Sequence, residues 1–366
     1  MNNRAVALIL SFLVTAVLTI LSAAFFLGSV LESKLAQNYF DSTRAFWAAE
    51  AGLSQAYYNW KNNISQPSGD IGFYSASYLI DVSNIPEVII TGKSGGVERK
   101  VSAFFIRVPE AFGNTLSAGR NLSLAGLLAR MEIYGKARIS GKYSKLLGAS
   151  DWFEDKKEGV SQDKTTIKIP DYNNNGIVDE FDDFVQFGRK SVQGYSPDEV
   201  VYIKNDGTVN IFPNQALVGK KVVFVEGSAP GKGNVNIFFD ATWQDNQDIT
   251  VIATGEISYI EPLQFSSNSR LSAVSWGDYN EAAVFRSQHE SVIYTHEDAN
   301  FIDILEWGST TGNVIANRDI SLTEVLTYEK YFFSDRAKKG DLPPGFKWLP
   351  SLETDGFLYL IGWGEI

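Results

Sequence analysis

The chain has 366 residues, with 43 acidic against 32 basic side chains and a formal charge of −11, which disfavours nucleic acid as a partner. It contains no cysteine, which excludes disulfides, thiol catalysis and cysteine-ligated zinc. A domain of this composition, 13% aromatic, rich in Gly and Asn and without disulfides, must rest on a sizeable core and reads as β-rich and structural more than enzymatic.

From the amino end, Ala5 to Leu31 carries no charge. At ~1.5 Å rise per residue that run is long enough to cross the roughly 30 Å hydrocarbon core of a bilayer as one helix. A helical pattern then continues beyond it. Leu35, Tyr39, Ser42, Phe46, Ala49, Leu53, Ala56 and Trp60 alternate in steps of four and three, which predicts an apolar stripe on a polar helix. The predicted elements are a transmembrane segment over 1–31 and an amphipathic continuation over 32–62. A secretory signal peptide would have a core of about 7–15 residues and a small-residue cleavage site, and a plain tether would need no stripe. Arg4 is the only charge before the span, so the positive-inside tendency keeps the amino end cytoplasmic and exports the rest.

The polar amino end, the apolar helix, its continuation and the string Phe46-Trp47-Ala48-Ala49-Glu50-Ala51-Gly52-Leu53 together resemble the PilX-type minor pilins of type IV pilus and type II secretion assemblies. The resemblance spans roughly residues 1–60. It implies a single-pass protein of the inner membrane, its carboxyl-terminal region periplasmic or extracellular. Other pilin or pseudopilin subunits would then draw it into a filament, with the exported domain serving priming, capping or adhesion. It also implies processing by a prepilin peptidase. Two features depart from the family pattern. The residue before the apolar run is Arg4 where prepilins usually carry Gly, and no Glu occurs before Glu32. A subunit without the membrane Glu has no buried charge to neutralise, which leans toward a minor or priming role.

Residues 63–110 are predicted to form a small pilin-like sheet. Its strand-like runs are Phe73 to Ile80, Glu87 to Gly92 and Val97 to Val108, with Lys93-Ser94-Gly95-Gly96 as a hairpin connection and the helix stripe as the packing partner. Over 111–335 the texture changes to short apolar runs ended by Gly, Asn or Asp, such as Asn121 to Ala125, Val222 to Val225, Val235 to Phe239 and Ile249 to Ala253. This texture predicts a right-handed β-solenoid, with a β-sandwich as the alternative, and the aromatic segment 336–366 as a cap or a strand returning to pair elsewhere. The expected fold class is therefore α+β: a long amino-terminal helix followed by a mostly β exported region.

One motif carries explicit site chemistry, in an insert over 151–195. Asp171-Tyr172-Asn173-Asn174-Asn175-Gly176-Ile177-Val178-Asp179-Glu180-Phe181-Asp182 fits the calcium-loop template. Asp171, Asn173 and Asn175 would supply side-chain oxygens and Ile177 its carbonyl. Asp179 would bind directly or through water, Asp182 would close the site, and Gly176 would permit the sharp reversal. An Asp at the twelfth position resembles the dockerin-type loop of exported bacterial proteins, a likeness confined to this dozen residues. Phe181, Phe184 and Phe187 predict a short helix after the loop. His289 and His296 are the only histidines and neither belongs to a catalytic pattern. The other functional reading is a membrane-anchored, calcium-dependent carbohydrate-binding protein or polysaccharide lyase, on the analogy that such lyases also use β-solenoids.

Overall fold

The computed structural model describes residues 3–62, 67–71, 76–84, 87–146, 160–162, 167–212, 217–238, 247–261, 270–284, 288–305, 307–336, 341–349 and 356–366. The chain divides into two compact units, residues 1–105 with 360–366, and residues 106–359.

In the first unit, α1 (Asn3–Lys61) is one unbroken helix of 59 residues. Four antiparallel strands follow: β1 (Ser68–Ile71), β2 (Ala76–Asn84), β3 (Glu87–Ser94) and β4 (Val97–Pro109). The predicted hairpin connection is a turn at Gly95 and Gly96, both at positive φ (54° and 85°). The carboxyl-terminal strand Gly356–Glu365 lies beside β4 as the fifth strand. There Arg99 pairs with Glu365 at 3.0 Å, and the Ile366 amide donates to the Lys100 carbonyl.

The face of α1 that meets this sheet differs from the predicted stripe. Asp41, Ala45, Ala48, Ala49, Gly52, Leu53, Ala56 and Asn59 are buried, whereas Leu35 and Tyr39 stay 67% and 72% exposed. The reason is steric. A Cβ on Gly92 of β3 would stand 1.9 Å from the Ala45 carbonyl oxygen and 2.5 Å from the Ala49 nitrogen, so strand and helix backbones nearly touch. Small side chains allow that approach, and the larger apolar ones are turned aside. Asp41 is held at the hairpin, accepting from Gln37 Nε2 at 3.0 Å and Ser94 Oγ at 3.4 Å.

The second unit is a β-solenoid, and its parallel ladders exclude the sandwich alternative. One sheet has eight strands in the order Thr208–Ile211, Asn234–Phe238, Ile257–Glu261, Tyr279–Val284, Ala299–Ile304, Ile320–Val325, Leu122–Leu127 and Tyr143–Leu146. Its strands alternate, as in Ile320–Val325, where Ile320, Leu322 and Glu324 point inward. That period of two marks a sheet with one wet face. Outward, Asn236 donates to Asn210 and Asn300 to Asn280, each at 3.0 Å, linking neighbouring rungs.

Among the described residues the other sheet has eleven strands, and from Val222–Glu226 to Trp307–Ala316 it is covered on both faces. Val223 and Val225 of Val222–Glu226 face the solenoid interior. Val222 and Phe224 face a second cluster with Phe184 and Phe187 of α2 (Phe181–Gln193). Continuous apolar runs such as Val222 to Val225 are what a doubly covered parallel sheet requires.

The winding order is unusual. Rungs over 116–146 come first in the chain, yet Leu122–Leu127 pairs with Ile320–Val325 of the last full rung. The chain passes from those first rungs to the opposite end at Val200–Lys204 and winds back. The predicted cap over 336–366 is also divided. Phe346 and Leu349 bury against the α2 layer, with Leu342 packed beside them, while the end of the chain joins the first unit's sheet.

Candidate functional site

Among the residues predicted to bind calcium, Asp171 and Asn173 meet at the Asn175 amide, and Asn175 caps the next turn. Asp171 accepts from the amides of Asn175 (3.1 Å) and Gly176 (2.7 Å), Asn173 Oδ1 from the Asn175 amide (2.9 Å), and Asn175 Oδ1 from the Ile177 amide (2.7 Å). These nested turns wind the loop about its own side-chain oxygens. Gly176 sits at φ 85°, and Asn174 takes the same left-handed region at 58°, where Asn is tolerated better than most residues. The Ile177 side chain is exposed, which leaves its role in the motif to the carbonyl.

Asp179 and Asp182, the last two residues of the predicted set, lie elsewhere. Asp179, at φ 69°, exchanges backbone and side-chain bonds with Ile169, and its other carboxylate oxygen stands 3.4 Å from His296 Nε2. Asp182 is exposed in the first turn of α2. The position after it, Asp183, turns back instead. It is fully buried and accepts from the amides of Tyr172 (2.8 Å) and Asn173 (3.1 Å). Burial raises the Asp183 carboxyl above the usual range, and those backbone donors offset part of the rise. The donor set is oxygen-only and the loop already curls around three of its members, which fits a hard cation such as calcium.

Sequence reasoning missed both Asp183 and His296. The signal for Asp183 was the doubled Asp at the helix start, one residue being needed outside and the other underneath. His296 gave no signal, because it reaches the loop from a solenoid corner, stacked on Trp276 at 3.8 Å.

The loop is anchored through Tyr172. Its hydroxyl donates to the Trp348 carbonyl, and Lys190 of α2 stands 5.0 Å from its ring centre. Burial pushes the Tyr172 phenol well above its ordinary value, so it stays a neutral donor. Helix α2 is fastened in turn by Arg189, whose Nε and Nη2 meet the two oxygens of Glu226 at 2.9 and 2.7 Å. This fork holds the Glu226 carboxyl below the usual carboxylate range.

The second functional surface is the free part of α1. Leu13, Leu18, Phe25, Phe26, Leu31 and Phe40 are exposed, on a helix long and apolar enough to cross a membrane. Three of its hydroxyls bond within the helix: Ser11 donates to the Leu8 carbonyl, Thr15 to that of Ser11 and Thr19 to that of Thr15, at 2.8–2.9 Å.

Comparison with known proteins gives three findings. No curated protein matches the sequence. Among solved structures, the competence-associated pilin ComZ from Thermus thermophilus aligns over 89% of this chain and 97% of its own, at 11% identity and a TM-score of 0.33. An ice binding protein from an Antarctic biological consortium aligns over 62% of this chain and 90% of its own, at 14% identity and a TM-score of 0.27. The Shewanella frigidimarina ice-binding protein domain aligns over 62% and 98%, at 13% and 0.24. Scores this low say nothing of binding. The sequence itself says more: the PilX N-terminal family matches residues 6–54, so the chain carries a pilin-like amino-terminal segment.

Proposed function

We propose that the protein is a PilX-type, minor-pilin-like subunit of a type IV pilus or type II secretion-like filament. In this reading α1 crosses the inner membrane once with its amino end in the cytoplasm. The β-rich units stand on the periplasmic or extracellular side, where they prime, cap or give adhesion to a filament built with other pilin or pseudopilin subunits. The observation that carries the reading is the two-part surface of α1. Its first half is apolar and bare, which in water would cost about 25 cal/mol for every Å² left uncovered. Its second half, with the Ala48-Ala49-Glu50-Ala51-Gly52-Leu53 run, is fitted to β3. Lipid covers the bare half before assembly, and neighbouring subunit helices cover it after. The amino-terminal departures from the prepilin pattern leave processing by a prepilin peptidase as a part of the proposal that mass analysis of the amino end decides.

Calcium belongs to the same proposal, held by Asp171, Asn173, Asn175 and the Ile177 carbonyl, with Asp179 and Asp182 turning in from their resting places to complete the set. Bound there, it would supply positive charge to an acidic loop and fix the start of α2. Its signature is one chain-bound calcium that Asp171→Ala loses. No residue is assigned a catalytic role.

Assembly can be read cleanly because the chain has no native cysteine. A single Ala16→Cys in α1, co-expressed with cysteine-bearing pilin subunits, is expected to give crosslinked adducts with those subunits in cells that build filaments. A membrane-inserted chain that yields no adduct from any position along residues 10–31 would defeat the filament reading and leave a plain anchor.

A further inference from the structure

Inside the solenoid, beside the corner joining its two sheets, Asp303, Glu324 and Glu329 each bring a carboxylate oxygen within 4.8 Å of the other two. They are 2%, 0% and 1% exposed. Strand parity places them there. Asp303 continues the inward series Ala299, Phe301, and Glu324 continues Ile320, Leu322, and the two acids are direct register partners. Glu329 approaches from Tyr328–Phe333, on the far side of a left-handed corner at Leu326 (φ 54°). The same inward column holds only Ala283 on one side and Gly126 on the other, so no bulky side chain fills it.

Two further observations say what the cluster lacks. Neither oxygen of Glu324 has a hydrogen-bond partner, although the residue is wholly enclosed. Thr327, 5% exposed at the same corner and directed at Glu324, has an equally unpartnered hydroxyl. Buried carboxylates at this separation repel each other and are tolerated only when a proton or a cation is shared among them. One shared proton joins only two of the three carboxylates, whereas a divalent cation takes an oxygen from each of them. Nearby, Glu281 is occupied by the Tyr279 hydroxyl at 2.7 Å, so it does not relieve the others.

We infer that Asp303, Glu324, Glu329 and Thr327 form a buried structural site for a hard divalent cation of the calcium or magnesium class. The donors are all oxygens, as such ions require, and calcium takes them in numbers and directions flexible enough for a corner built from two rungs. The site also has a structural task. It ties Ala299–Ile304, Ile320–Val325 and Tyr328–Phe333 together beside Leu122–Leu127, where the last rung meets the first. An ion enclosed there is taken up as that joint closes and exchanges slowly afterwards.

The test is elemental analysis of the full-length chain, purified in detergent and passed over chelating resin, with calcium and magnesium distinguished by mass. Asp171→Ala, which disables the exposed loop, is expected to retain one tightly held divalent ion per chain. Glu324→Gln is expected to carry one ion fewer than the unaltered chain. If the loop reading alone fails, Asp171→Ala and the unaltered chain carry the same single ion and Glu324→Gln carries none. An Asp171→Ala chain without any divalent ion overturns the inference, and so does a Glu324→Gln chain that keeps the full complement. The first of these does not depend on whether Glu324→Gln folds.

Discussion

Gly92 shows how one residue sets the geometry of the first unit. Its missing side chain lets β3 lie against the backbone of α1 at Ala45 and Ala49, and Gly52 does the same from the helix side, where a Cβ would meet Ile90 Cγ2 at 2.6 Å. Replacing Gly92 by Val forces backbone against backbone, with nothing flexible to give way. The substitution is predicted to destabilise this unit by about 3 kcal/mol, at the upper end of overpacking penalties. Hydrogen exchange at the amides of Glu87–Ser94, measured on the chain in detergent across a denaturant series, checks it. Gly28→Ala is the control: nothing lies within 4 Å of the added methyl, and helix propensity favours Ala by up to ~1 kcal/mol. An equal loss in both variants would sink the close-approach argument. The sequence carried this contact in its small residues, but a periodicity count weights large apolar side chains. The predicted stripe therefore shared Ala49, Leu53 and Ala56 with the buried face and erred on Leu35 and Tyr39.

At the level of elements, α2 is held to the eleven-stranded sheet by apolar contact and by one ion pair at its rim. Gly188 lets the helix settle on Phe224, and a Cβ there would stand 2.4 Å from the ring. Arg189 then clasps Glu226, which also accepts from the Tyr202 hydroxyl. Because the Glu226 pKa is lowered in the folded chain, its contribution is complete above the ordinary unfolded value of about 4.3 and disappears as pH falls through the lower folded value. Arg189→Met is predicted to cost about 1–2 kcal/mol at neutral pH, since it removes the fork and leaves a nearly buried carboxylate with the Tyr202 hydroxyl and Lys204, 3.6 Å away. Solvent at the partly exposed Arg189 screens the charge contribution and keeps the loss from being larger. The same substitution should flatten the thermal midpoint against pH below about pH 4.5, where Glu226 takes up its proton. An acid limb as steep as in the unaltered chain would show that the pair does not fasten the helix. The helix start after the calcium motif was legible from the Phe spacing. Its resting place was not, because the run Val222 to Val225 says that both faces are covered without saying by what.

For the whole molecule, the decisive fact is that neighbours in space are not neighbours in sequence. In a simple solenoid each rung touches the next one along the chain, and ends fray independently. Here Leu122–Leu127 sits between Ile320–Val325 and Tyr143–Leu146, so the first rung is stabilised by the last. The short apolar runs made the solenoid legible. The stacking order was not, since the rungs have no fixed repeat length that would reveal which of them border each other. Asp303 and Glu324 shared that fate, because their inward parity and their pairing appear only once the register is known. The joint itself turns on Asp319. Its Oδ1 accepts from the backbone and side-chain nitrogens of Asn121, both at 3.0 Å, and its Oδ2 from Arg120 at 3.3 Å. The Ile320 amide answers by donating to the Asn121 carbonyl. Removing those acceptors with Asp319→Ala should cost about 1–2 kcal/mol, which corresponds to a roughly 5–30-fold loss of hydrogen-exchange protection. That loss is expected at the amides of Leu122–Leu127 as strongly as at those of Ile320–Val325. The distant end of the sheet, Thr208–Ile211, should be affected least, since local openings need not involve it. Exchange measured by mass spectrometry on the full chain separates these segments. If the loss stays with the residues flanking 319 in sequence, the two rungs open independently and the closure of the solenoid contributes nothing to its stability.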